Sequence, residues 1–152
     1  MTGHGDSHLA DRIRWSFQHK GAPGEWACLI DDLSWPARSR LNASLALEGE
    51  ETPVLAWYWN ESDWTVVTTR RLIWSVRGVT TVVPLDALRE ATISSRDLES
   101  AGGDKGHVDH LTVITTKGES HRVPWEAGAP LSGLWNALKL VLRMRPKAPG
   151  AR

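Results

Sequence analysis

Residues 64–74 read WTVVTTRRLIW. Strand-formers dominate the run, yet Arg70 and Arg71 stand side by side within it. Successive side chains of one strand point to opposite faces, so a single straight strand would aim one arginine into a core. Burying a cation without a partner is costly. The stretch therefore reads as two strands with a turn at Thr69–Arg71, which places both guanidinium groups in water. Trp64, Val66 and Thr68 alternate with Thr65, Val67 and Thr69. Beyond the turn, Leu72, Trp74 and Val76 alternate with Ile73, Ser75 and Arg77, so each strand keeps one apolar face.

Period-two alternation extends outward on both sides. Upstream, PVLAWYWN sets Leu55, Trp57 and Trp59 on one face, read as core, and Val54, Ala56 and Tyr58 on the other. Asn60-Glu61-Ser62-Asp63 is a turn by composition. Downstream, Gly78 turns the chain, and VTTVVPL, REATISS, HLTVITT and SHRVPW give four more strands. Between them RDLESAGGDKGHVD is polar and glycine-rich and reads as a long mobile loop. After Thr52 the chain is thus a set of seven short strands.

The first third follows a different period. MTGHGD reads as disordered, with residues 1–8 outside the fold. Leu9, Ile13 and Phe17 recur as a helical stripe. Trp26, Leu29, Ile30 and Leu33 have the spacing of a short amphipathic helix. Pro36 opens a third helical piece carrying Ala37, Leu41 and Leu45, with Gly49 as its stop. Residues 9–49 are thus a helical extension. The last helix is the clearest, with Leu131, Leu134, Trp135, Leu138, Val141 and Leu142 on one face. Residues 146–152 read as a flexible basic tail.

Seven short strands followed by one amphipathic helix resemble a bacterial pleckstrin-homology-like (PH-like) domain. The stretch EGEETPVLAWYWN resembles the lead-in to the first strand of that family. Thr68, Thr69, Arg70, Arg71 and Leu72 resemble its second hairpin. Val83, Pro84, Leu85, Leu88 and Ala91 resemble its Ile-Pro-Leu strand. The resemblance covers residues 48–144 and implies an α+β fold: a seven-stranded antiparallel barrel over residues 50–145, capped by the C-terminal helix. It also implies a module that binds lipid headgroups, peptides or proteins and has no catalytic set.

Composition narrows the function. The formal net charge is zero, which argues against a dedicated nucleic-acid binder. Residues 127–152 carry five basic side chains and no acidic one, leaving a weak contact with anionic lipid open. The loop that carries the phosphate-binding bases in lipid-binding PH domains is here Asn60–Asp63, with two acids and no base. Phosphoinositide binding is therefore not expected. The single cysteine, Cys28, permits no intramolecular disulfide, and MTGHGDSHLADRIRW has no secretory-signal pattern, so a cytoplasmic location is expected.

Candidate site residues are few. Arg70 and Arg71 suit a clamp on a partner's carboxylate or phosphate, against the plainer reading of a solvated turn in which Arg71 pairs with a nearby acid. Trp26 and Trp35 lie in the helical extension and must dock on the barrel or on a partner. His107, Asp109 and His110, with Asp104 nearby, hint at a metal site, but extended spacing puts His110 on the opposite face from the other two. Asp31-Asp32 and Glu50-Glu51 read as solvated acid pairs. No nucleophile has a base in a recognisable motif, and no cofactor is expected. The expectation is a non-catalytic protein-binding module that uses a strand edge or an apolar groove, for instance an immunity- or antitoxin-like protein. The alternatives are a peripheral membrane adaptor using the basic end and an enzyme using the His107/His110 loop. Oligomeric state is not legible.

Overall fold

The computed structural model describes residues 2–144. The protein is α+β, with helix α1 (Thr2–Lys20), strand β1 (Ala27–Leu29) and helix α2 (Trp35–Leu45) leading into the sheets. Strands β2 (Pro53–Asn60), β3 (Asp63–Thr68), β4 (Arg71–Val76) and β5 (Val79–Pro84) follow as a meander. Then come β6 (Leu88–Thr92), helix α3 (Ser95–Ser100), β7 (His110–Thr115), β8 (Ser120–Pro124) and helix α4 (Ala129–Met144). All strand pairs are antiparallel, in one sheet ordered β1-β2-β3-β4-β5 and a second ordered β6-β7-β8. Each of the seven strands expected after Thr52 is present. They do not close into a barrel, because the two sheets share no ladder.

Both faces of the larger sheet are covered across the middle of β2–β4. Leu55, Val67, Leu72 and Val83 lie opposite one another across β2–β5 and join the main core with the second sheet, α1 and α4. Ala56, Val66 and Ile73 line the other face, under Ile30, Leu41 and Leu45. A bulge between Pro53 and Leu55 turns both Val54 and Leu55 into the main core, which breaks the alternation expected there. Strand β2 then runs past the core, so Trp59 is 53% exposed and is not the core residue its spacing suggested. Of the nine tryptophans, only Trp64, Trp74 and Trp125 are fully buried.

Helix α4 presents Leu131, Leu134, Ala137, Leu138 and Val141 to the core, as its sequence period requires. Helix α1 lies against it, with Ile13 and Phe17 completely buried. Full burial of one such side chain contributes about 2 kcal/mol. The helices approach closely where α4 meets the end of α1: a Cβ on Gly21 would lie 2.4 Å from the Gly133 Cα. Only glycine fits there.

Three expectations for the first hundred residues are corrected. The N-terminus is not disordered up to residue 8, since α1 begins at Thr2. Residues 26–33 are not a helix: Ala27–Leu29 pair with β2 and Ile30–Asp32 form one tight 3₁₀ turn. The segment after β6 is not a structureless loop, because Ser94 caps α3 by accepting the Asp97 N–H at 3.1 Å. The third N-terminal segment is helical as expected. Its cap is Ser34, and it ends at Leu45 with Ala46 in the left-handed region rather than running to Gly49. The tail at 146–152 lies outside the described residues. Among the described residues, no helix is long and apolar enough to cross a membrane.

Candidate functional site

The turn between β3 and β4 holds the arginine pair, and neither guanidinium stands free in water as the alternation suggested. Arg71 forks the Glu51 carboxylate, with Nε to Oε2 at 2.7 Å and Nη2 to Oε1 at 2.8 Å. The Thr68 hydroxyl donates to the same carboxylate. Nη2 also donates to the Leu45 carbonyl at 2.9 Å, which caps the end of α2. Glu51 is buried, so its reading as part of a solvated acid pair is corrected. Burial would raise its pKa, but the hydrogen bonds from Arg71 and Thr68 outweigh that and hold the carboxyl below its ordinary value.

Arg70 does the same work for α1. Its Nε and Nη2 reach the two oxygens of buried Asp6 at 3.2 and 2.8 Å. That hydrogen bonding holds the Asp6 carboxyl below its ordinary value. Both carboxylates belong to this chain, so these contacts are not the clamp on a partner that the sequence offered; for Arg71 they match the plainer reading of a pair with a nearby acid. Each arginine ties one helix to the turn, so this pair is committed to the fold.

The remaining sequence candidates are scattered. Trp26 packs edge-on against Trp59, with centroids 4.8 Å apart, and is 39% exposed. Trp35, at the start of α2, is 77% exposed. His107 pairs with Asp104 at 3.0 Å and His110 with Asp109 at 2.9 Å, as two separate contacts. Among the described residues, no cluster of three or more His, Cys, Asp or Glu has the arrangement of a metal site. Cys28 sits half-buried on β1, not on a helix, and burial, with Asp32 and Glu126 nearby, pushes its thiol up to about 11. That favours the protonated thiol over the nucleophilic thiolate at neutral pH.

The sheet edges are more informative, since an unpaired edge is a template for another chain. Four strands end a sheet: β1, β5, β6 and β8. Strand β1 has three residues, and Glu126 accepts the N–H groups of Glu25, Trp26 and Ala27 at 2.7–2.9 Å. Strand β6 lies under α4, and the Trp135 indole donates to the Ala91 carbonyl at 2.8 Å. Strand β8 meets the larger sheet at its end, where the Thr65 hydroxyl donates to the Pro124 carbonyl at 2.7 Å; Ser120 and Arg122 are exposed, and the Arg122 charge blunts that part of the edge.

Among the described residues, strand β5 has no such cover. Its sequence is VTTVVP, and Val79 and Val82 are 70% and 45% exposed. Among the described residues, β4 is the one strand that pairs with it. It carries no charge, no bulge and no lysine, the usual devices that blunt an edge; only Pro84 limits it, at its end. Pro84 also borders a cleft of about 530 Å³ lined by Leu9, Thr69, Arg70, Val141 and Met144. The open edge therefore leads into an apolar groove between the sheet and helices α1 and α4. The sequence reading named the type of surface but not this strand. The signal that marks it is VTTVVP itself, the one strand sequence after Thr52 with neither a charge nor a histidine apart from PVLAWYWN.

The β2–β3 turn lies in a cleft that Arg40 and Arg77 also line. Within the turn, Asn60 Oδ1 accepts the N–H groups of Ser62 and Asp63 at 2.8 and 2.9 Å. Arg40, the nearest base from α2, sits 3.4 Å from Glu61. Comparison with family models, with curated proteins and with solved structures finds no match to this chain.

Proposed function

We propose that this protein is a non-catalytic protein-binding module, built on a PH-like plan, that captures an extended segment of a partner along β5. The observation that carries the reading is the contrast among the four sheet edges: β1 and β6 are capped or covered, β8 carries Arg122 and meets the larger sheet at Pro124, and β5 is a neutral, valine-rich strand in solvent. Strand addition supplies affinity through main-chain hydrogen bonds and specificity through alternate side-chain pockets. The cleft beyond Pro84 offers such a pocket for an apolar side chain. The PH-like plan is supported by the order of four meandering strands, three more strands and a closing helix. The acidic turn at Asn60–Asp63 favours a protein ligand over an inositol phosphate. A toxin-blocking, immunity-like role is one form of this reading.

The test is site-specific crosslinking in dilute protein. A photoreactive residue at Val82 should trap one protein from the native host. The adduct should disappear when Thr80 is replaced by proline, and a probe at Lys117, on the exposed β7–β8 turn, should not give it. An adduct that survives Thr80→Pro, or that forms equally from Lys117, overturns the reading.

A further inference from the structure

We propose that β5 also pairs with the β5 of a second copy of this chain, antiparallel about a twofold axis at Thr81. This inference rests on β5 being the pairing edge and names a second occupant, one that competes with the partner strand.

The hairpin fixes which groups face outward. Its two-residue turn has Arg77 at φ 53° and Gly78 at φ 81°, the type I′ signature, with Val76 opposite Val79. Such a turn closes on a hydrogen-bonded pair. The Leu85 N–H donates to the Arg70 carbonyl at 2.9 Å, at the same parity along the ladder. Residues 79, 81 and 83 therefore bond inward to β4, and Thr80 and Val82 turn their N–H and C=O groups outward. The edge ends there. Gly78 already gives its N–H to the Ser62 carbonyl at 3.0 Å, and Pro84 has none.

A twofold axis at Thr81 sets Thr80 of one copy opposite Val82 of the other, twice. Each pair exchanges two N–H···O bonds, so all the outward donors of both strands are satisfied. The side chains match as well. Thr81 meets Thr81 on the axis, and Val79 meets Val83 on the same face. Thr80 meets Val82 on the other face. Every pair is β-branched, and the strand carries no charge that would repel its own copy. Pairing with a second copy requires each residue to be compatible with its mate across Thr81, and residues 79–83, all β-branched and uncharged, meet that requirement.

The contact is short beside the roughly 1,200–2,000 Å² of a stable interface, so the dimer is weak and concentration-dependent. Its consequence is regulatory: at high local concentration the chain masks its own binding edge.

Sedimentation equilibrium on the full chain tests this, over about 10 µM to about 1 mM, a range that reads weak affinities. The native chain should shift from monomer to dimer. Thr80→Pro removes an outward N–H and leaves the bonds to β4 alone, and it should stay monomeric with an unchanged far-UV circular dichroism spectrum. Should that variant misfold, Val82→Lys, on the solvent side of the strand, decides, and it should also stay monomeric. A native chain that is monomeric throughout, or a folded Val82→Lys that dimerises like the native chain, overturns the proposal. Crosslinking of a host protein at Val82 without dimerisation leaves the functional reading standing while self-pairing fails. Dimerisation without an edge-dependent adduct does the reverse.

Discussion

Strand β4 has a turn at each end, and each turn contains arginine. The one before it, Thr69–Arg70, is built into the fold. Arg70 and Arg71 hold buried Asp6 and Glu51, and through them α1 and the segment after α2. The one after it, Arg77–Gly78, is tied to the neighbouring β2–β3 turn, through Ser62 and Asp63, and leads into a strand in solvent. The same residue type therefore does opposite things. What decides is whether a buried carboxylate is brought within reach. Charge is spent inside, where it fixes helices to the sheet. The strand that meets solvent is left neutral, without the charges that commonly blunt an exposed edge.

The comparison breaks most visibly at the clamped end. Arg71→Met leaves Glu51 buried without its partner, which should cost about 3 kcal/mol in chemical denaturation. The double variant Glu51→Leu/Arg71→Met should recover much of that loss, because a buried ion pair is often replaceable by apolar packing. A single variant as stable as the native chain would show that the clamp holds nothing.

Acid acts on the same end. The pKa values of Asp6 and Glu51 are lowered by folding, so their contribution is complete above the ordinary carboxylate range. It declines as pH falls through that range and is gone below the lowered values. Asp97, forked by Arg122 at 2.7 and 3.1 Å, behaves alike: burial would raise its pKa, but Arg122 and the Ser94 contact hold it down. Melting temperature should therefore drop below about pH 4, and the drop should be smaller in the Glu51→Leu/Arg71→Met variant. Equal acid sensitivity in both would place the titrating groups elsewhere.

The smallest effect belongs to the open end. Val79→Lys changes a side chain that is 70% exposed, and stability should stay within about 0.5 kcal/mol of the native chain. A large loss would mean that β5 is covered by something and is not an edge.

The strands were legible because period-two patterning is local, and WTVVTTRRLIW resolved correctly into two of them. The last helix was legible for the same reason at period 3.6. What the arginines bind was not, because Asp6 and Glu51 lie 64 and 20 residues away and nothing local marks them as buried. Residues 26–33 misled because Trp26, Leu29, Ile30 and Leu33 do fit a helix, while pairing with β2 overrides that spacing. Trp59 misled because alternation assigns a face but not the point where a strand leaves the core. Helix α3 did carry a signal, the Ser94-x-x-Asp97 cap, inside a stretch whose glycines suggested a loop. The open edge was legible as a kind of surface, and its location needed the sheet order.

Amide hydrogen exchange along β5 in dilute protein tests the central claim most directly. Thr81 and Val83 should exchange slowly, bonded to β4, while Thr80 and Val82 exchange near the rate of an unprotected chain. Four amides protected alike would mean that the edge is already occupied and would contradict the account.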